Sequence, residues 1–300
     1  MTDASASEIM IRQRFSALGR TLPDARSGEV EAIHKARIAT RRLREALPLV
    51  ASGSRGRRLE KFARGLTRAL GSVRELDVAL LTLDEMQADG EVPRAPIALL
   101  RRVIGKERRR LCVDMARRIE RCDLHKLRRK ALAAPRRHRP KGQRGRTGVS
   151  DPKRLASAEA RAARRAMGLR AAIESAGGIY VPDRLHQVRI AVKKLRYAME
   201  ITRELRGSRA TARIRMLTGA QDLLGRIHDL EVLIMRIRAL QGSEQAPDLK
   251  LSADLDRLVR RLETECRQLH ARYMAFKRML LDLCDHVRVV AAEGRDAPAA

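Results

Sequence analysis

Ile33–Leu47 reads I-H-K-A-R-I-A-T-R-R-L-R-E-A-L, and Leu185–Met199 reads L-H-Q-V-R-I-A-V-K-K-L-R-Y-A-M. The two align without a gap. His34 matches His186, Arg37 matches Arg189, Arg41–Arg42 match Lys193–Lys194, and Leu43–Arg44 match Leu195–Arg196. A second pair of blocks lies downstream at nearly the same spacing: Leu70–Val78 (L-G-S-V-R-E-L-D-V) and Leu224–Val232 (L-G-R-I-H-D-L-E-V). Two ordered blocks repeated in one chain indicate a duplicated unit. The expected arrangement is two halves about a pseudo-two-fold axis.

The period inside the blocks is helical. Ile33, Ala36, Thr40, Leu43 and Leu47 recur every three to four residues and form one stripe, as do Leu185, Val188, Val192, Leu195 and Met199. Beside each stripe runs a cationic row: His34, Arg37, Arg41 and Arg44 in one half, His186, Arg189, Lys193 and Arg196 in the other. Each row spans about 15 Å at 1.5 Å rise per residue, a length suited to a run of phosphates. No acid occupies the repeated positions, and the cations border the apolar stripe. Like charges so placed cost stability unless an anion joins them. A solvated basic face is the plain alternative.

Working outward, helical periodicity covers almost the whole chain. Helices are expected over about Ala6–Arg20, Glu29–Val50, Arg55–Gln87, Ile97–Ala133, Lys153–Ser175, Pro182–Leu205, Arg209–Leu240 and Leu249–Val290, with a fraying tail. The Pro/Gly/Arg-rich stretch 135–151 lacks periodicity and reads as a basic linker. The expectation is all-α: a four-helix half over 1–134, the linker, a second four-helix half over 152–292, and a tail over 293–300. Gly71 and Gly225 interrupt helical patterns, and close helix packing is the expected reason. Glu75, Asp77, Asp229 and Glu231 are expected to orient the arginines through paired hydrogen bonds. The alternative is a carboxylate metal site with His34, His186 and His228.

Composition narrows the partner. Among 300 residues, 65 are Lys or Arg and 36 are Asp or Glu, a formal net charge of +29. Such a charge opposes compaction and points to a polyanionic partner. Hydrophobic residues make up 44% of the chain, enough for a core, and aromatics only 2%, which disfavours stacking on single-stranded bases. Cys112, Cys122, Cys266 and Cys284 form no C-x-x-C pair and read as free thiols of a reducing cytoplasm. Neither a signal peptide nor a span of ~20 apolar residues is evident.

At its repeated blocks the chain resembles the conserved histidine α-helical domain family, CHAD. The residues carrying the resemblance are H-K-A-R-I-A-T-R-R-L-R, its echo H-Q-V-R-I-A-V-K-K-L-R-Y, and the L-G-x-x-x-[DE]-x-[DE]-V blocks. The likeness runs from the first helix to about Val290. It implies two four-helix halves around a basic central cavity that binds inorganic polyphosphate, with association to polyphosphate granules. The family's basic positions fall on His34, Arg37, Arg41, Arg42 and Arg44, on Arg74 in the downstream block, and on His186, Arg189, Lys193, Lys194, Arg196 and Tyr197. The block reads Arg74-Glu75 where the family usually has Arg-Asp. The E-x-E-x-K motif of the triphosphate-hydrolysing domain fused to many relatives is not found, so a stand-alone protein is expected. Neither catalytic residues, a bound metal nor a cofactor is expected. Non-specific nucleic-acid binding and a metal-dependent phosphohydrolase or histidine phospho-acceptor are the rival readings. Oligomeric state is left open.

Overall fold

The structure, a computed structural model, describes residues 5–51, 53–90, 92–133, 152–209, 211–243 and 247–296. They form α1 (Ala6–Ser27), α2 (Val30–Ala46), a 3₁₀ turn (Leu47–Leu49), α3 (Gly53–Ala88), α4 (Arg94–Glu120), α5 (Leu124–Leu132), α6 (Pro152–Ala176), α7 (Pro182–Arg206), α8 (Ala212–Gln241) and α9 (Leu249–Asp296). Among the described residues there is no strand, so the fold is all-α. The linker expected over 135–151 lies outside the described residues.

Local chemistry sets the helix ends that aim the repeated blocks. Ser5 caps α1 by accepting from the Glu8 N–H, and α1 runs to Ser27 with Pro23 inside it, longer than the apolar pattern suggested. Gly28 then takes φ +92°, a left-handed conformation that glycine adopts without steric cost, and its N–H closes onto Ala25 and Asp24. Glu29 opens α2 by accepting from the Glu31 and Ala32 N–H groups. In α7, Pro182 occupies the first turn, where its missing N–H costs nothing, and Gly207 ends the helix at φ +64°.

Two departures from the expected elements have simple causes. The helix expected over 97–133 is two helices, broken at Arg121–Asp123. The Asp123 side chain accepts from the Lys126 N–H and so starts α5 afresh. The apolar period of Ile119, Leu124 and Leu127 runs across the break and hides it. The first part of the chain therefore carries a fifth, short helix. α9 continues to Asp296, past the fraying point placed at Val290.

Both apolar stripes face inward. Ile33, Ala36, Thr40, Leu43, Leu47, Leu185, Val188, Val192 and Leu195 are buried, and Met199 packs against the core half-buried. Two buried clusters result. One gathers α1, α2, α5, the first half of α3, the end of α4, the start of α6 and the end of α7. The other gathers α6–α9 with the second half of α3 and the start of α4. The long helices α3 and α4 thus run through both. The helices bearing the first blocks, α2 and α7, touch each other, and so do those bearing the second, α3 and α8. Arg14 of α1 forks onto both carboxylate oxygens of Glu204 of α7 at 2.9 Å, a further tie.

Candidate polyanion site

Each apolar stripe anchors its helix with the cationic row turned toward the other row. Arg37 and Arg41 of α2 and Arg189 and Lys193 of α7 come close enough to interact electrostatically across the helix pair. Among the described residues, no carboxylate lies within ion-pair distance of Arg37, Arg41 or Lys193; Arg189 has Asp229 of α8 at 3.8 Å. The Nε atoms of Arg37 and Arg189 are buried without a hydrogen-bond partner.

The electrostatic consequence is visible in the proton affinities. Burial, reinforced by Arg41 and Arg189, pushes the Arg37 guanidinium down to about 9. Burial together with Arg189, Arg41 and Arg37 pushes the Lys193 ammonium down to about 6. Asp229 is pushed up by burial, against the pull of Arg189, Lys193, Arg37 and Arg74. One partly desolvated carboxylate among four cations leaves the cluster strongly short of negative charge.

The far end of each row has another task. Arg196 donates to Glu200 at 2.5 Å and to Gln221 at 3.0 Å, and its guanidinium stacks 4.5 Å over the Tyr197 ring. Arg42 reaches the same Glu200 at 3.4 Å. Glu200 is buried, so this carboxylate clamps α2 to α7. Arg44 lies 3.5 Å from Glu45, whose other oxygen accepts from Arg161 of α6 at 2.6 Å. Tyr197 is buried, with Arg41 beside its hydroxyl. Lys194 is exposed. Of the twelve residues singled out in the sequence, Arg37, Arg41, Arg189 and Lys193 form the convergent centre. His34 with Arg74 and His186 flank it. Arg42, Arg44 and Arg196 are engaged with buried acids.

The histidines are arranged unequally. His186 Nδ1 lies 3.1 Å from His228 Nδ1, with ring centroids 4.5 Å apart. One ring donates and the other accepts, so the pair holds a single proton between these atoms. Burial, then Arg189, His186, Lys193 and Arg37, pushes His228 down to about 3. In the other half, His34 is lowered by burial and then by Arg74. The block alignment sets Arg74 against His228, so a permanent cation on α3 corresponds to a titratable group on α8. Sequence reasoning gave His228 only a part in the metal alternative, although that alignment carried the signal.

The block acids serve the scaffold more than the site. Asp77 is buried and accepts from Arg108 Nε at 2.5 Å, while Arg108 also donates to the Gly28 carbonyl. Glu231 accepts from the Tyr180 hydroxyl. Glu75 meets Arg236 at 3.4 Å. Asp229 alone meets a repeat arginine within ion-pair distance, so the expected orienting role fits one acid of four. Gly71 borders the site, because a Cβ there would lie 3.5 Å from Arg37 Nε, whereas nothing lies within 4 Å of the same position on Gly225. Close packing therefore does not explain Gly225. Among the described residues, no three His, Cys, Asp or Glu side chains converge as metal ligands, and no helix is long and apolar enough to cross a membrane.

Fold and site together define an all-helical protein with cations gathered between two repeated helices. The chain belongs to the CHAD domain family, whose model matches residues 9–238. Among solved structures it is similar to the CHAD domain from the plant Ricinus communis, at 18% identity and a TM-score of 0.59 over 99% of this chain and 94% of that one. It is also similar to PptA from Streptomyces chartreusis, at 17% identity and a TM-score of 0.60 over 96% and 98%. At such identities the likeness concerns the fold alone. Comparison with curated proteins gave no match.

Proposed function

We propose that this protein binds inorganic polyphosphate between α2 and α7, and that it binds without catalysing a reaction on the polymer. The observation that carries this reading is the convergence of Arg37, Arg41, Arg189 and Lys193 with one half-buried acid, Asp229, to offset them. Family membership supports it. Phosphate oxygens would accept from the arginine forks and restore the proton on Lys193, exchanging mutual repulsion for attraction. A dense, flexible line of charge suits two facing cationic rows. Base stacking has little purchase here, because Tyr197 is buried beneath Arg196.

A binding role also fits the histidines. His186 and His228 hydrogen-bond to each other and not to a carboxylate that would orient a ring as general base. Through such binding the protein would collect on polyphosphate granules in the cytoplasm.

Competition tests the reading. Long-chain polyphosphate should stay bound in the presence of duplex DNA at equal phosphate concentration, and no orthophosphate should be released with Mg²⁺ or Mn²⁺ present. Equal competition by DNA would make the protein a general polyanion binder. Phosphate release abolished by His186→Ala would make it an enzyme.

A further inference from the structure

A second cationic surface lies away from the α2–α7 cluster. Two depressions flank α5 and share Ala133 at its end. One, of about 340 Å³, is lined by Arg12, His125, Arg128, Arg129, Leu132 and Ala133. The other, of about 410 Å³, is lined by Ser54, Arg55, Arg58, Leu59, Leu127, Lys130 and Ala133. Arg55 donates to the Ala133 carbonyl at 2.6 Å and joins the start of α3 to the end of α5. Arg12, Arg58, Arg129 and Lys130 are exposed. Among the described residues, no carboxylate pairs with these four or with Arg55 and Arg128.

Some other arginines of the surface are treated differently. Around α8 and α9 four are matched with acids: Arg226 with Glu85 and Glu265, Arg236 with Glu75 and Glu107, Arg238 with Glu263, Arg261 with Asp89. Acids thus offset those four arginines, whereas among the described residues none offsets the cations that line the α5 depressions. Arg58 and Gly71, which borders Arg37, lie on the same helix, and their separation of thirteen residues corresponds to about 20 Å of axis, beyond two Debye lengths at physiological salt. Salt therefore screens this surface from Arg37.

We propose that the α5 surface is a second polyanion site, which grips a flexible linear phosphate chain so that one protein molecule bridges two polyphosphate segments. The inference rests on the polyphosphate reading of the α2–α7 cluster. The depressions lie against α5 and share Ala133, so a single flexible strand can follow both, as a rigid duplex about 20 Å across cannot. Two separated grips on a long polymer make the protein a cross-linker, with an effective concentration set by the polymer between them. A granule-associated protein with two such grips would condense the polymer as well as coat it.

The test compares the parent and three variants against two probes, tripolyphosphate and long-chain polyphosphate. The variant Arg12→Gln/Arg58→Gln/Arg129→Gln/Lys130→Gln should bind tripolyphosphate as the parent does. Light scattering with long-chain polyphosphate should be lost, and the log–log salt slope of its affinity should fall by about 3 for four contacts. The variant Arg37→Glu/Arg189→Glu should lose tripolyphosphate and keep salt-sensitive binding of the long chain. Arg12→Lys/Arg58→Lys/Arg129→Lys keeps the charge and should behave as the parent. In the unsubstituted protein, long-chain polyphosphate should shield Lys130 from acylation, and tripolyphosphate should not. Unchanged scattering and salt slope in the glutamine variant, or no shielding of Lys130, would overturn the second site. Condensation by duplex DNA equal to that by polyphosphate would overturn the choice of partner. Undiminished tripolyphosphate binding by the Arg37/Arg189 variant would instead overturn the functional reading of the cluster.

Discussion

Lys193 carries opposing demands in one side chain. Its pKa of about 6, against an ordinary value of 10.5, means that folding around it expels a proton at neutral pH. The unfolded chain binds that proton more readily, so Lys193 favours unfolding increasingly as pH falls from about 10 toward 6. Phosphate reverses the sign, since a bound anion raises the pKa and draws the proton back. Two results should follow. Lys193→Met should raise the melting temperature of the unliganded protein at pH 7 by about 3 °C, the scale of ~1 kcal/mol in a chain of this size, while weakening polyphosphate binding. Calorimetry in buffers of different ionisation enthalpy should show proton uptake on binding at pH 7. The His186–His228 pair adds to this linkage. Burial first, and then Arg189 and Lys193, lowers the pKa of both rings, and Asp183 only partly offsets this at His186. Affinity should therefore be higher at pH 6 than at pH 8, and His228→Arg, which copies Arg74 of the other half, should flatten that dependence. Equal affinities at the two pH values in the unsubstituted protein would remove the linkage.

At the scale of helices, the site depends on how α2 and α7 are held. Glu200 joins them by accepting from Arg196 of its own helix and facing Arg42 of the other. Glu200→Ala leaves the partly buried Arg196 guanidinium without its acid and should cost about 3 kcal/mol, read as a lower urea midpoint. Weaker polyphosphate binding should accompany it, because the two rows lose their register. The helices themselves were legible in the sequence, since the 3–4 period of Ile33–Leu47 and Leu185–Met199 marks both the buried stripe and the cationic row. The Asp123 cap that separates α4 from α5 was less so, because apolar spacing continues across it. Partner choice within the rows was not legible. Arg41 and Arg44 look alike one turn apart, and only the fold brings Arg161 onto Glu45, the neighbour of Arg44, and leaves Arg41 among cations. Glu200 lies beyond the repeated block, so the repeat gives no hint that it would engage Arg42 and Arg196.

For the whole molecule, the formal charge of +29 is distributed unevenly. Arg226, Arg236, Arg238 and Arg261 around α8 and α9 are paired with acids, whereas the α2–α7 cluster and the α5 surface gather cations with few or none. Salt should act accordingly. Affinity for long-chain polyphosphate should fall steeply with ionic strength, while the stability of the unliganded protein should rise as its internal repulsion is screened. The central claim is that the cluster between α2 and α7 is where polyphosphate is held. Equilibrium binding of tripolyphosphate to the parent and to Arg37→Glu/Arg189→Glu, with helicity checked by circular dichroism, tests it most directly. Loss of two charge-assisted contacts predicts a roughly hundredfold or greater drop in affinity with the helical signal retained. Affinity within a factor of about two of the parent, in a folded variant, would contradict it.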